Sequence, residues 1–209
     1  MFGDGSLTFR EFAMHEPVPL ATLHEAVLEI LRGHNDAVLF GAQAVNAYVD
    51  EPRMTQDVDI LSVRANEVAQ AIRDRLSERF HIAVRVRDVA DGKGFRIFQL
   101  RKPKNRHLVD VRAVDVLPPA QRIEEVLVVT PAELIARKVI AYQQRRGKPK
   151  AGTDWRDLAL LLLRFPELKT KSGPVAERLQ AAGADSATIA AWEGLVAQEI
   201  MAEDEDSDF

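Results

Sequence analysis

Apolar residues recur along the chain with spacings that predict alternating helices and strands. Steps of three and four residues predict amphipathic helices over about residues 20–32 and 66–80, and a further helix over residues 42–48 directly after Gly41. Short apolar runs, and one stretch that alternates with polar residues, predict strands at residues 37–40, 58–61, 82–87, 95–100, 108–114 and, at an edge, 123–129.

The pattern becomes helical after residue 129. Thr130-Pro131-Ala132-Glu133 has the form of a capping box with proline at the first helical position, which predicts a helix to about residue 146. A basic flexible loop is expected over residues 147–152, and then a helix that Thr153 or Asp154 would cap. Two further helices are expected at residues 174–182 and 186–202.

These elements predict an α/β (α+β) chain with three segments. A helix-flanked mixed β-sheet would occupy residues 1–129, a helical domain residues 130–202, and a disordered acidic tail residues 203–209. The 209 residues are 46% hydrophobic, which excludes a fully disordered or fibrous protein.

The charge is unevenly distributed. The net charge is −4, from 28 basic and 32 acidic residues, but six acids lie in residues 199–209; the remainder carries 28 bases against 26 acids. A mildly basic body is compatible with a local phosphate site. The absence of cysteine excludes disulfides, thiolate metal sites and cysteine nucleophiles. No apolar run is long enough to span a bilayer, and we expect a cytoplasmic protein.

Three carboxylates carry the candidate chemistry. Asp57 and Asp59 are two residues apart at the start of a predicted strand, so both side chains lie on one face. Asp110 interrupts an otherwise apolar strand. If the two strands pair, the acids converge and can hold two Mg²⁺ ions that activate a hydroxyl and stabilise a leaving pyrophosphate. Gly41, at a strand-to-helix turn, would let backbone N–H groups approach a triphosphate.

Simpler interpretations apply to each residue alone. Most Asp-x-Asp pairs are turn residues, caps or solvated strand ends, and Asp110 could pair with Arg112 or Arg53. His107 lies in a basic segment that favours a solvated turn, and the five scattered histidines lack helical metal-ligand spacing. The combination of glycine turn, acid pair and later strand acid is therefore the informative signal.

That combination resembles the nucleotidyltransferase superfamily, and most of all its AbiEii-type toxin branch. The matching residues are Gly41, the pair Asp57 and Asp59, and Asp110. The Arg-x-Thr-x-Asp-x-Asp motif that is common in this branch adds Arg53 and Thr55. The resemblance covers about residues 36–165. It implies a metal-dependent enzyme that moves a nucleoside monophosphate from an NTP to a hydroxyl. The implied catalytic and metal-binding residues are Asp57, Asp59 and Asp110, and the implied nucleotide-binding residues are Gly41, Ala42, Arg53, Thr55, Lys138, Arg145 and Asp154.

The resemblance extends to the helical segment. Lys138 would contact the nucleotide phosphates, while Arg145 or Arg146 and Asp154, with Asp157 beside it, would shape the nucleotide or acceptor pocket. The alternative is an ordinary solvated helix, with Asp154 as an N-cap and Asp157 paired to Arg156 or Arg137. A cluster of Arg145, Arg146, Lys148 and Lys150 is the candidate patch for RNA phosphates.

Two functional hypotheses remain open. By resemblance, the acceptor would be the 3′ end of a tRNA and the protein a toxin with a cognate antitoxin protein; a protein or small-molecule acceptor is the alternative. Ala42, however, stands where the superfamily usually has serine or a second glycine, and fourteen residues separate it from Asp57, a longer spacer than usual. The alanine favours the competing hypothesis, a catalytically silent module that binds a nucleotide or a partner protein, whereas the complete set of carboxylates argues against it.

Overall fold

The computed structural model describes residues 18–89 and 91–202. This part of the chain has mixed α/β architecture, as the sequence predicts, with a seven-stranded sheet flanked by helices. The tail at residues 203–209 that the sequence predicts to be disordered lies outside the described residues. None of the described helices has the length and apolar character that crossing a membrane requires.

The elements are numbered in chain order. The strands are β1 (Ala37–Phe40), β2 (Val58–Ser62), β3 (Val84–Asp88), β4 (Gly94–Gln99), β5 (Arg106–Ala113), β6 (Ala120–Ile123) and β7 (Val126–Val129). The helices are α1 (Leu20–Leu31), α2 (Gly41–Asn46), α3 (Ala65–Phe80), α4 (Pro131–Gln144), α5 (Lys150–Arg164), α6 (Pro174–Ala181) and α7 (Ser186–Ala197), with a 3₁₀ turn at Pro166–Leu168.

The sheet order is β3-β4-β5-β2-β1-β7-β6, which places β2 at the centre. β2 is antiparallel to β1 and parallel to β5, and β1 is parallel to β7. The other neighbouring pairs are antiparallel. The central strands are apolar because they are covered on both faces, and every residue of β1 is buried.

Helices cover the two parts of the sheet differently. On one face α3 packs against β3, β4 and β5, burying Val68, Ile72 and Leu76. At the other end α4 packs against α5, α6 and α7. The edge strand β3 alternates between partly buried and exposed residues, so one of its faces points to solvent.

The structure corrects three local predictions. Residues 123–129 form a hairpin of β6 and β7, because Glu124 and Glu125 make the turn with φ of 46° and 68°. Left-handed turns of this kind usually carry Asn-Gly or Asp-Gly, so the glutamates gave no signal. The side chain of Thr130 makes no capping hydrogen bond, and Glu133 instead accepts one from Arg137 at 2.7 Å.

The third correction concerns the basic loop. Helix α5 begins at Lys150 and continues through Gly152, so the loop is shorter than the predicted range of residues 147–152. Asp154 is therefore not an N-cap. It lies inside the helix, where it is buried with Asp157 one turn further on.

Candidate active site

Two central strands bring acidic side chains together at the middle of the sheet. β2 and β5 run parallel, and Asp59 lies directly opposite Asp110. Residues in register on neighbouring strands point to the same face, with Cβ atoms about 5 Å apart. Asp57 precedes β2 by one residue and, being two residues from Asp59, shares its face.

His107 joins this group although the sequence did not indicate it. Its Nδ1 lies 3.2 Å from Oδ2 of Asp57, and its Nε2 lies 3.4 Å from Oδ1 of Asp110. We call Asp57, Asp59, His107 and Asp110 the sheet cluster. The earlier interpretation of the basic segment around His107 as a solvated turn is wrong for this residue, because His107 lies within β5.

A β-bulge explains why His107 faces the acids. In a regular strand, residues three apart point to opposite faces. The register of β5 against β4 shifts between Ile97 and Phe98, so that His107 and Val109 oppose neighbouring residues and Leu108 is the extra one. Leu108 and Val109 are accordingly both buried.

The protonation states of the sheet cluster are strongly coupled. Burial, with the negative charges of Asp57 and Asp110, raises the pKa of Asp59 to about 6. Hydrogen bonds to Asp110 and Asp57 raise the pKa of His107 to about 9. The bond from His107 holds the pKa of Asp57 below its ordinary value. Burial acts to raise the pKa of Asp110, but the contacts with His107 and Arg96 outweigh it and leave this pKa below its ordinary value.

Two arginines approach the acids from the solvent side. Nε of Arg96 donates to Oδ1 of Asp110 at 3.0 Å, and Nη2 of Arg112 lies 3.7 Å from Oδ1 of Asp59. Both arginine side chains are at least half exposed. Pairs of this kind contribute little because water screens them and long side chains lose entropy. The acids are therefore only loosely neutralised.

Gly41 begins α2 directly beside Asp59. Its φ is +72°, a conformation that favours glycine, and a Cβ built there would lie 2.8 Å from Cγ of Asp59. The close approach thus requires a residue without a side chain. Ala42 follows in the first turn of α2, so its methyl group is accommodated where that of an alanine at position 41 would not be.

Helix α2 also holds the loop that leads to Asp57. Asn46 donates to the carbonyl of Arg53 at 2.8 Å and accepts from its N–H at 3.0 Å. Gln43 donates to Oγ1 of Thr55 at 2.8 Å, and its amide nitrogen lies 3.3 Å from Nδ1 of His24. These contacts fix the positions of Arg53 and Thr55 relative to the glycine turn.

The remaining predicted residues meet in a second group. Arg53 donates to both oxygens of Asp157, at 2.8 and 2.9 Å, and Nζ of Lys138 donates to the same carboxylate at 2.6 Å. Arg145 makes a two-oxygen contact with Asp154 at 2.8 and 3.1 Å. We call these five residues the helix cluster.

The helix cluster differs from the solvated helix considered above. The side chains of Asp154 and Asp157 are 3% and 0% exposed, and that of Lys138 is 10% exposed. Asp157 is not paired to Arg156 or Arg137, which contact Glu51 and Glu133 instead. Although burial works in the opposite direction, the bonds from Arg53 and Lys138 hold the pKa of Asp157 below its ordinary value.

The two clusters are electrostatic neighbours. The charge of Lys138 acts to lower the pKa of Asp59, and that of Lys150 acts to lower the pKa of Asp57. Positive groups on α4 and α5 therefore border the acidic group on the sheet. This juxtaposition can accommodate a polyanion that reaches from the helices towards a cation on the sheet.

The donor set of the sheet cluster fits a divalent cation. Asp57, His107 and Asp110 each offer one ligand atom, and these atoms lie within 4.8 Å of one another. All three side chains are partly exposed, so an ion has access from solvent. Carboxylate oxygens suit Mg²⁺, Ca²⁺ and Mn²⁺, whereas imidazole suits transition metals.

Comparison with solved structures identifies the class of fold. The Megavirus polyadenylate synthase superposes with a TM-score of 0.58 at 11% identity, covering 74% of this chain and 34% of that one. JHP933 from Helicobacter pylori gives 0.53 at 13% identity, with coverage of 91% and 92%. A second structure from H. pylori, described as a nucleotidyltransferase, gives 0.54 at 14% identity, with coverage of 91% and 94%. The fold is that of a nucleotidyltransferase, and the chain spans about a third of the length of the polyadenylate synthase.

The family follows from the sequence itself. The model of the family described as nucleotidyl transferase AbiEii toxin, Type IV TA system, matches residues 26–208, and the chain belongs to that family. No curated protein matches the sequence significantly. The resemblance inferred from the glycine turn and the three acids is thereby confirmed.

Proposed function

We propose that the protein is a metal-dependent nucleotidyltransferase that moves a nucleoside monophosphate from an NTP to a hydroxyl group and releases pyrophosphate. The observation that supports it best is the registered pair of Asp59 and Asp110, with Asp57 beside it and Gly41 against it. A group of acids that only one histidine and two exposed arginines neutralise gains stability from a cation that joins it. Membership of the AbiEii family supports the transferase class.

In this proposal Asp57, Asp59 and Asp110 hold Mg²⁺, and two ions are expected. Bound Mg²⁺ would lower the pKa of the acceptor hydroxyl and neutralise charge on the leaving pyrophosphate. The protein contributes position and charge, which provide most of the rate in phosphoryl transfer. Asp110 would also help to deprotonate the acceptor hydroxyl.

The helix cluster and the glycine turn would bind the nucleotide. Backbone N–H groups of Gly41 and Ala42 lie at the turn beside Asp59, where a triphosphate would meet the metal. Lys138 would neutralise phosphate charge. Thr55 orients the turn through Gln43, and Arg53, Arg145 and Asp154 would shape the pocket.

The family also suggests a biological setting. We propose that the protein acts as the toxin of a type IV toxin–antitoxin pair, with a cognate antitoxin protein as partner. Its acceptor would be an RNA, with the 3′ end of a tRNA as the first candidate, and a protein or small-molecule acceptor as the alternative.

A silent binding module is the second candidate, and one observation favours it. His107 already bridges Asp57 and Asp110, and Arg96 and Arg112 contact the acids from outside. An acidic group neutralised in this way could persist without a cation. Ala42, which offers phosphate no hydroxyl, points in the same direction.

Transfer of label distinguishes the two candidates. The protein is incubated with each α-labelled NTP, total RNA or cell extract, and Mg²⁺, and the labelled product is identified. We expect a labelled product with the wild type, and at least a hundredfold less with Asp59→Asn. Asp74→Asn, the same change at an exposed carboxylate on α3, is the matched control and should behave as wild type.

Binding measurements give the decisive result if no acceptor is found. Titration with a non-hydrolysable NTP should show Mg²⁺-dependent binding that Asp59→Asn weakens and Asp74→Asn does not. Equal binding by wild type and Asp59→Asn, together with no labelled product from any NTP, would favour the silent module.

A further inference from the structure

The face of the sheet that carries the acids continues into a row of arginines. Asp59 lies opposite Asp110, Asp110 opposite Arg96, and Arg96 opposite Arg87 at the edge. Because residues in register share a face, this row runs from the acids to the margin of the sheet across about three strand spacings, roughly 14 Å.

A second row lies beside the first. His107 is opposite Phe98, and Phe98 is opposite Arg85 on the edge strand. The rings of His107 and Phe98 are in contact, with centroids 5.1 Å apart. Arg112, two residues beyond Asp110 on β5, extends the same face. We call Arg85, Arg87, Arg96 and Arg112 the arginine face.

The arginine face is open in the part of the chain that the structure describes. All four arginines are exposed, whereas Val84 and Val86 on β3 and Phe95 and Ile97 on β4, which point to the other face, are partly buried or buried. Helix α3 packs against β3 and β4 from the opposite side, where it meets their apolar residues. Within the described ranges, Arg85 and Arg87 form no ion pair, so their charges are available to a ligand.

The strands and turns that carry the arginine face are positively charged, although the chain as a whole is negatively charged. Residues 82–106 contain eight lysines and arginines but two acids, although the complete sequence has a net charge of −4. Positive charge is thus concentrated on the strands that lead to the sheet cluster and on the turns that join them. A strip of arginines beside an aromatic ring is the arrangement that binds single-stranded nucleic acid, in which phosphates meet cations and bases stack.

We propose that the arginine face binds the backbone of a single-stranded polynucleotide whose 3′ end reaches the sheet cluster. This inference rests on the proposed function, since it assigns a binding surface to the polynucleotide acceptor of that site. It places the polynucleotide on β3 and β4, and not on the basic group at residues 145–150 that the sequence suggested. Arg85 and Arg87 bind phosphates there and serve the reaction only by positioning the acceptor.

The test measures binding of fluorescent single-stranded RNA to the full chain, by anisotropy in EDTA so that no chemistry occurs. The double variant Arg85→Gln/Arg87→Gln should bind about tenfold more weakly at low salt. Its slope of log affinity against log salt should be shallower by about 1.4, since each phosphate contact on a single strand contributes about 0.7. Arg73→Gln/Arg75→Gln on α3 removes the same charge from the other side and should change affinity less than twofold.

Other outcomes overturn the inference or separate it from the proposed function. Equal weakening by both double variants, or unchanged binding by Arg85→Gln/Arg87→Gln, would overturn it, as would tighter binding of poly-glutamate than of RNA. If the wild type transfers label but the arginine variant binds RNA normally, only the arginine face is disproved. If no label is transferred yet the arginine variant loses RNA, only the catalytic proposal fails. An equal-length DNA strand distinguishes the two polynucleotides.

Discussion

The sheet cluster and the helix cluster use the same types of residue with different charge balances. In the helix cluster two carboxylates meet three cations, and the acids are almost completely buried. In the sheet cluster three carboxylates share one histidine and contact two arginines that are at least half exposed, and the carboxylate side chains are 15–33% exposed. The acids of the helix cluster are therefore enclosed by their cations, whereas those of the sheet cluster are open to solvent and water screens their arginine partners.

The helix cluster and the sheet cluster therefore depend on different partners. A buried acid with several donors depends on the fold to keep its partners in place, and the fold depends on it in turn. An open group of acids gains from a partner that arrives from outside. We therefore expect substitutions in the helix cluster to act first on stability, and those in the sheet cluster to act first on ion binding.

The largest effect is expected at the centre of the helix cluster. Asp157→Asn removes the buried negative charge that the partly exposed Arg53 and the buried Lys138 share, and it should lower the free energy of unfolding by about 3 to 5 kcal/mol. Urea denaturation monitored by circular dichroism measures this. Asp74→Asn, an exposed counterpart, should change stability by less than about 0.5 kcal/mol. A loss at Asp157 no larger than in this control would contradict the assignment.

The second prediction concerns divalent ions and the sheet cluster. Mg²⁺ or Mn²⁺ at a hundred times its dissociation constant should stabilise the protein by about 2.7 kcal/mol, and EDTA should reverse this. Asp57→Asn and Asp110→Asn should abolish the shift in the thermal unfolding midpoint. Asp74→Asn should retain it. An equal ion effect in all of these proteins would show that the sheet cluster is not the binding site.

The third prediction uses pH in metal-free buffer. The pKa of Asp59 is about 6 in the folded chain against 3.8 as the ordinary value, so the native state holds this proton more tightly. Its contribution to stability is greatest below pH 4 and is lost as the pH rises to 6. Asp59→Asn removes that loss and should make the protein more stable than wild type by roughly 3 kcal/mol at pH 7 but not at pH 4. A difference that does not vary with pH would contradict this.

The contribution of Asp157 to stability should change with pH in the opposite direction. Its pKa is lowered in the folded chain, so its contribution is present above the ordinary value and is lost as the solution is acidified. The stability difference between wild type and Asp157→Asn should therefore shrink below about pH 4, the ordinary value for an aspartate. The two clusters are thus distinguished by the direction of the pH effect as well as by its size.

The smallest effect is expected in the loop that serves both clusters. This loop carries Arg53 to the helix cluster and Asp57 to the sheet cluster, and Thr55 between them accepts a hydrogen bond from Gln43. Thr55→Val should cost about 1 kcal/mol and weaken Mg²⁺ binding severalfold. Denaturation and ion titration measure the two effects, and Thr55→Ser, which keeps the hydroxyl, should restore most of both. A Thr55→Ser variant as impaired as Thr55→Val would show that packing matters more than the bond.

Local patterns predicted most of the fold and the acids. The apolar periods indicated α1, α3 and the central strands, and the spacing of Asp57 and Asp59 placed both on one face because strands alternate. The β6–β7 turn was missed because its two glutamates adopt positive φ without a sequence signal. The division of the chain into domains at residue 129 stays a prediction.

Contacts between residues far apart in sequence explain why the partner of Asp157 and the arginine face were not predicted. Asp157 pairs with Arg53, 104 residues earlier, and a helix pattern reports only partners three or four residues away. Two arginines nearer in sequence were therefore considered in its place. The arginine face was missed for the same reason, because it exists only in the register of β3, β4 and β5, which sequence alternation alone does not determine.

The extra residue at Leu108 lets two side chains that are three residues apart act on one face of the sheet. Deleting Leu108 would remove the bulge and leave His107 and Asp110 two residues apart, where simple alternation also places both on one face. The pairing of His107 with Phe98 would be kept, because only the unpaired residue is lost. A single-codon deletion would thus regularise β5 without separating the histidine from Asp57 and Asp110.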